Sequence, residues 1–397
     1  MVAGSREPGA ARPLRLGMVG GGRGAFIGGV HRLCARMDGQ YDLVAGALSS
    51  DPKRAKESAA DLGLARDRVY TSFADMAAGE AHRAGSDGIE VVSIVTPNDS
   101  HHAIARAFLD RGIDVICDKP MTTTIEDALD LVQVVKRTGL IFGVTHNYTG
   151  YPMVRQAREM VAAGELGTIR VVQVEYVQDW LTTKLEDTGQ KQAAWRVDPA
   201  RAGAGGSLGD IGTHAHNLAC FVTGIAVREL AADLSRFVPG RRLDDNVHML
   251  LRFENGARGM LWGSQVAPGN ENGLRLRVYG EKGGLEWSQE HPNQLRFAPV
   301  GQPPRILSRG GPNVGPAASR ATRIPSGHPE GYLEAFANLY RDLAEQIRAR
   351  RAKRAPDRAA LLVPTVEDGA RGVKFIHAAV ESSAKNGAWV DMQLKLG

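Results

Sequence analysis

The 397-residue chain is poor in cysteine. Its three, Cys34, Cys117 and Cys220, form no C-x-x-C pair. So sparse and odd a set excludes a disulfide framework and a thiolate metal cluster, and it fits a reducing compartment. Aromatic residues are 6% of the chain, too few to suggest a stacking platform for nucleic-acid bases. Net charge is only +5, whereas a nucleic-acid footprint needs charge gathered into a stripe. The one dense basic stretch, Arg348, Arg350, Arg351, Lys353, Arg354 and Arg358, follows a helical pattern. It reads as a solvated helix end, where cations suit the dipole. No apolar run approaches the ~18 residues of a membrane span. Residues 1–13 lack a hydrophobic segment, which excludes a signal peptide, and they read as a flexible tail. The expectation is a cytoplasmic protein with no nucleic-acid or membrane partner.

Glycine, by contrast, is plentiful at 47 residues, and it serves where backbone turns sharply or approaches a ligand closely. Short apolar runs at 14–19, 43–48, 89–95, 115–117 and 141–145 alternate with helical patterns at 27–37, 53–62, 104–111 and 125–137. This alternation predicts a doubly wound parallel sheet of the Rossmann type over 14–146. From 147 to 397 the pattern changes. One helix, 153–163, precedes strand candidates at 169–180, 227–237, 246–254, 257–265, 274–279, 285–287 and 294–297. Asn255-Gly256 between two of them is a hairpin signal. Residues 301–327, rich in Gly, Pro and Ser, read as one long loop, and helices over 330–351 and 367–385 follow. The second half is therefore expected to be an α+β domain with a mostly antiparallel sheet.

The first chemistry lies in the turn after the first strand. Gly20, Gly22 and Ala25 satisfy G-x-G-x-x-G/A, with Arg23 and Phe26 in the same turn. A strand running through such a turn into a helix sets backbone N–H groups against a pyrophosphate. At the end of the second strand an acidic residue ordinarily holds the ribose hydroxyls. Here Ser49 stands in that place, followed by Ser50, Asp51 and Arg54. Serine with Arg54 suits a 2′-phosphate, while Asp51 suits the hydroxyls. The reading favours NAD and leaves NADP open. Thr96-Pro97-Asn98-Asp99-Ser100-His101 and Cys117-Asp118-Lys119-Pro120 follow later parallel strands, at the ends where open α/β sheets bind ligands. Gly209-Asp210-Ile211-Gly212-Thr213-His214 opens a helix, with Asp210 and His214 four residues apart on one side.

In these motifs and their order, over about residues 14–395, the sequence resembles the Gfo/Idh/MocA family of nicotinamide-dependent oxidoreductases. The family's acidic-Lys-Pro motif usually begins with Glu, and here it begins with Asp118. The resemblance implies a cofactor site built from the glycine turn, Ser49, Ser50, Arg54, Thr96, Pro97, Asn98, His101, Asp118, Lys119 and Pro120. It also implies a catalytic set of Lys119, His214 and Asp210. Lys119 would polarise the substrate oxygen, and His214 would move its proton. Asp210 would bind hydroxyls or orient the others. Carbinol oxidation asks for a base that works near neutral pH, which a histidine or a depressed lysine can supply. Substrate contacts are expected from Asn147, Tyr148, Gln178, Asp179, Trp180, Trp195, Arg196 and His328, with no metal.

Most such proteins oxidise or reduce sugars, inositols or related polyols. A minority are NAD-dependent glycosidases, which oxidise the sugar transiently and return the hydride. The motifs serve both. Lys184, Lys191, Arg196 and Arg201 raise an anionic sugar such as a sulfoquinovoside as a substrate for that branch, because Arg binds sulfonate well. A regulator that binds nicotinamide without catalysis ranks lower, since Lys119 and His214 are both present. The open sheet face expected in the second half suggests a homodimer or homotetramer.

Overall fold

The computed structural model describes residues 11–396. Most of the expected tail lies outside the described residues. Within them, Arg12 is already docked on the Glu90 carboxylate at 2.6 Å.

The first half holds β1 (Leu14–Gly20), α1 (Phe26–Met37), β2 (Tyr41–Ala47), α2 (Pro52–Asp61), α3 (Phe73–His82), β3 (Val91–Val95), α4 (His101–Leu109), β4 (Asp114–Cys117), α5 (Ile125–Thr138) and β5 (Phe142–Val144). The strands are parallel in the order β2-β1-β3-β4-β5. Side chains alternate between two helix-covered layers, as a sheet buried on both faces requires. Val92 and Ile94 enter the layer of α3, α4 and α5, while Val91 enters that of α1. The order reverses between β1 and β3, which opens a crevice at the strands' carboxyl ends.

The second half contains α6 (Pro152–Ala162), β6 (Ile169–Val177), α7 (Lys191–Arg196), α8 (Pro199–Ala202), α9 (Thr213–Thr223), β7 (Val227–Ser235), β8 (Asn246–Phe253), β9 (Arg258–Ser264), β10 (Gly273–Gly280), β11 (Gly283–Ser288), β12 (Gln294–Pro299), β13 (Arg305–Ser308), α10 (Pro316–Ala321), α11 (Tyr332–Arg351), α12 (Val366–Ala384) and β14 (Val390–Asp391). Among the described residues the sheet order is β13-β12-β11-β10-β6-β9-β8-β7-β14. Its pairings are antiparallel except β6 with β9. One face packs on α6, α9 and α12 through residues such as Val172, Leu276, Leu261 and Phe375. The other face exposes Leu250 and Met260.

Two sequence expectations need correcting. Helix α3 lies where none was expected, because its Ala- and Gly-rich stretch carries little apolar periodicity. The long loop at 301–327 contains β13 and α10, and α10 is held by the Arg320–Asp342 pair.

The last two helices return to the parallel sheet. Phe336, Tyr340, Leu343 and Ile347 of α11 share a core with Leu14, Leu16, Val91 and Ile116. The buried Arg155–Asp342 pair, at 2.7 Å, ties α6 to α11. His31 of α1 meets Ser93 at 3.0 Å and Tyr340 at 2.7 Å.

Burial disfavours the charged imidazole. It lowers His31 to about 4, His216 to about 4 and His146 to about 3, the last helped by Lys119. An unfolded chain protonates histidine near ~6.5, so between that pH and 4 the unfolded state binds more protons. Stability is then complete above about pH 6.5 and falls as pH drops through this window. Thermal melts from pH 7 to 4 should show a steady decline, and His216→Leu, which keeps an apolar contact with Phe375, should flatten it. A melting temperature independent of pH over this range would contradict the assignment.

Candidate active site

The crevice widens into a cleft of about 1280 Å³ that runs from the glycine turn to the buried face of the large sheet. At its first end the backbone does the work. Gly20 has φ +82°, and a Cβ there would lie 2.9 Å from the Val95 carbonyl oxygen. A Cβ on Gly28 would lie 2.3 Å from Gly21 Cα. The turn therefore seats α1 directly on β1. Side chains cap α2, α3 and α5 (Asp51, Ser72 and Thr124), whereas Ala25 leaves the first N–H groups of α1 without a side-chain acceptor. A helix start of this kind at a glycine turn suits a pyrophosphate.

Gly20, Gly22, Arg23, Ala25, Phe26, Ser49, Ser50, Arg54, Thr96, Pro97, Asn98, Asp118 and Lys119 all line the cleft. The Arg23 guanidinium is engaged by Glu57 and Asp61, at 2.8 and 2.5 Å. Asp51 is absent from the wall because its carboxylate caps α2 through Arg54 N. His101 and Pro120 also lie behind the wall. The His101 ring spans the Thr96 and Pro120 carbonyls at 2.8 and 2.9 Å and braces the two loops against each other.

The second end is made of side chains. Asp118 accepts from Lys119 N and Thr145 Oγ1, both at 2.9 Å, and so shapes the loop that presents Lys119. Lys119 Nζ donates to the Asp210 carbonyl and to its Oδ1 at 3.0 Å. Asp210 Oδ2 accepts from Arg196 Nε at 3.1 Å and from Gln265 Nε2 at 2.9 Å. Burial pushes the Asp210 carboxyl up, but Arg196 and Lys119, with the hydrogen bonds from Lys119 and Gln265, outweigh it and hold the group far below the usual range. Residues Leu208–Gly212 form a π-helical turn that leads into α9, and π-turns recur at functional sites. One turn on, His214 stands with its ring 4.9 Å from Tyr148 and 5.3 Å from His146. Burial, then Lys119 and His146, drive its pKa well below the ordinary value, so the ring is neutral. His214 Nδ1 and Asn147 Nδ2 have no hydrogen-bond partner among the described residues.

Asn147, Tyr148, Gln178, Trp195 and Arg196 line this end. Asp179, Trp180 and His328 do not. Asp179, two residues past the end of β6, accepts instead from Gly269 N at 3.2 Å. Trp180 sits behind Gln178 and donates to its Oε1 at 3.1 Å. His328 is exposed, and its carbonyl accepts from Arg309. Arg196 lies 4.4 Å from the Trp195 ring, with Nε donating to Asp210 and Nη1 to Gln192. Asp210 is shared between Arg196 and Lys119, so this group of two cations and one carboxylate keeps a net positive charge. Lys184 pairs with Asp187 at 2.9 Å, and the Lys191 side chain lies outside the described residues. Arg201 lines the cleft.

Sequence reasoning missed Thr71, Ser72 and Phe73 at the first end, and Tyr176, Asn272 and Gln289 at the second. Ser72 with Asp75 is an N-cap pattern that could have located the first group.

Two family models match the chain. Residues 14–146 match the oxidoreductase family with an NAD-binding Rossmann fold, and 154–286 match the GFO/IDH/MocA C-terminal domain. The chain belongs to this oxidoreductase family. It is 37% identical to the uncharacterized oxidoreductase YfiI of Bacillus subtilis, over 96% of this chain and 98% of the relative. An oxidoreductase structure from Sinorhizobium meliloti is 54% identical, with TM-score 0.87 and 96% and 100% coverage. An inositol dehydrogenase homolog from Azotobacter vinelandii, complexed with NADH and myo-inositol, is 39% identical, with TM-score 0.88 and 96% and 98% coverage. The fold and the NAD-binding half thus agree with the sequence expectation.

Gly28→Ala tests the first end. Its methyl would meet backbone, which cannot move aside, so NAD affinity measured by calorimetry should drop by at least about tenfold. Unchanged affinity would show that the α1 seat is not part of the dinucleotide site.

Proposed function

We propose that the protein oxidises a secondary carbinol of a cyclic polyol, an inositol or a sugar, and passes hydride to NAD. The observation that carries this reading is the Lys119–Asp210 pair beside neutral His214, at the far end of the cleft that begins in the dinucleotide turn. Nicotinamide supplies hydride acceptance, and the chain's task is to orient the carbinol and move its proton. An ammonium has three N–H donors. Lys119 spends two on Asp210, which leaves one for the carbinol oxygen. His214, uncharged and lining the cleft, accepts the hydroxyl proton, and burial and Lys119 make the resulting imidazolium give that proton up rather than store it. Asp210 holds Lys119 in place through its carbonyl and its carboxylate. The inositol-bound relative supports a polyhydroxylated ring as the substrate class.

No helix of the described residues is long and apolar enough to cross a membrane. The free thiols of Cys34, Cys117 and Cys220 suit a reducing compartment, and we place the protein in the cytoplasm. The outer face of the large sheet, with Leu250 and Met260 about half exposed, is assigned to contact between copies of this chain. Leu250→Asp with Met260→Asp should lower the mass measured by light scattering to that of one chain. A wild-type protein that is already monomeric would refute this.

Incubation with inositols, sugars and aryl glycosides in the presence of NAD should accumulate NADH with a polyol. Aglycone release without NADH would overturn the reading in favour of a redox-neutral glycosidase. Lys119→Met should reduce kcat/KM by roughly 10²–10⁴-fold at saturating NAD.

A further inference from the structure

The substrate end of the cleft contains a hydrogen-bonded relay whose donor direction can be worked out. It runs from Asp210 through Gln265, Gln178, Asn272 and Tyr176 to Tyr148. An indole N–H can only donate, and an ionised carboxylate can only accept. Trp180 Nε1 therefore makes the Gln178 carbonyl oxygen an acceptor, at 3.1 Å. The Asp210 carboxylate makes Gln265 Nε2 a donor, and that same amide also reaches Gln178 Oε1, at 3.3 Å. Both anchors agree, so Gln178 Nε2 must donate to Asn272 Oδ1, at 2.8 Å. With its oxygen facing the relay, Asn272 can only accept from Tyr176 Oη, at 2.7 Å. Tyr176 has then spent its one proton, and the Tyr148 hydroxyl must donate into the Tyr176 oxygen.

Tyr148 and Asn272 both line the cleft, and Tyr148 stands beside His214. We propose that Tyr148 presents only lone pairs to the substrate and so requires a free hydroxyl there, with the Asn272 amide nitrogen as the complementary donor. Trp180 and Gln265 are positioning residues that set this polarity without touching substrate. The selected class is a ring bearing a free hydroxyl at the point facing Tyr148. An ether oxygen, an O-alkyl group or fluorine at that point is rejected, because each can only accept. This inference rests on the polyol reading of the site.

The test uses the full-length enzyme with NAD and a set of monodeoxy-monofluoro inositols, one for each ring position. Fluorine accepts weakly and cannot donate. At one position other than the oxidised carbon, the wild-type enzyme should prefer hydroxyl over fluorine in kcat/KM by at least about tenfold, the cost of leaving a buried acceptor unpaired. Tyr176→Phe removes the oxygen that captures the Tyr148 proton, and the freed hydroxyl can donate to fluorine. The preference at that position should then shrink several-fold. Inositol turnover with a preference that Tyr176→Phe leaves unchanged would overturn the relay alone. Failure of the wild-type enzyme to oxidise any polyol would overturn the polyol reading, and the relay proposal with it.

Discussion

A carboxylate withdrawn from water must be balanced by cations and donors, or its burial costs several kcal/mol. Asp210 meets this constraint with groups from three parts of the chain. Lys119 comes from the loop after β4, Arg196 from α7 and Gln265 from the end of β9. The charge balance at one side chain thus joins the parallel sheet, the short helices over the cleft and the large sheet. It also governs its neighbours. The Lys119 ammonium helps to keep His214 and His146 uncharged, and the Asp210 carboxylate anchors one end of the amide and tyrosine relay.

The two ends of the cleft follow different logic. At the dinucleotide end, shape comes from backbone that only glycine allows, and side chains such as Asp51 and Arg23 are committed to α2. At the polyol end the backbone recedes, and hydrogen-bonding side chains set the surface. The first arrangement accepts one ligand whatever the substrate. The second can change by a few substitutions without disturbing the first.

Legibility in the sequence divides along a similar line. The parallel sheet could be read because each strand, turn and helix announces itself locally, and the glycine turn, Lys119, Asp210 and His214 lie in compact motifs. Tyr176 and Asn272 were not legible. The pairing of β6 with β10, in which Leu274 faces Tyr176, brings them together across nearly a hundred residues. Trp180 is expected at the substrate, yet it does not line the cleft and instead donates to Gln178 Oε1. His328 is expected at the substrate, yet it is exposed outside the cleft wall, and Tyr332 lines the cleft four residues further on. Strand periodicity tells which residues share a face. It does not tell which strand arrives alongside.

Helix α11 covers one layer of the parallel sheet, so the core around Leu14, Leu16, Val91 and Ile116 is completed by Phe336, Tyr340 and Ile347. On the ribosome the dinucleotide half emerges first, yet part of that layer stays bare until residue 347 has been made. The first half of the chain therefore cannot finish folding ahead of the second. A nascent chain stalled in the large sheet would carry an exposed strip of aliphatic side chains, the kind of surface that chaperones bind.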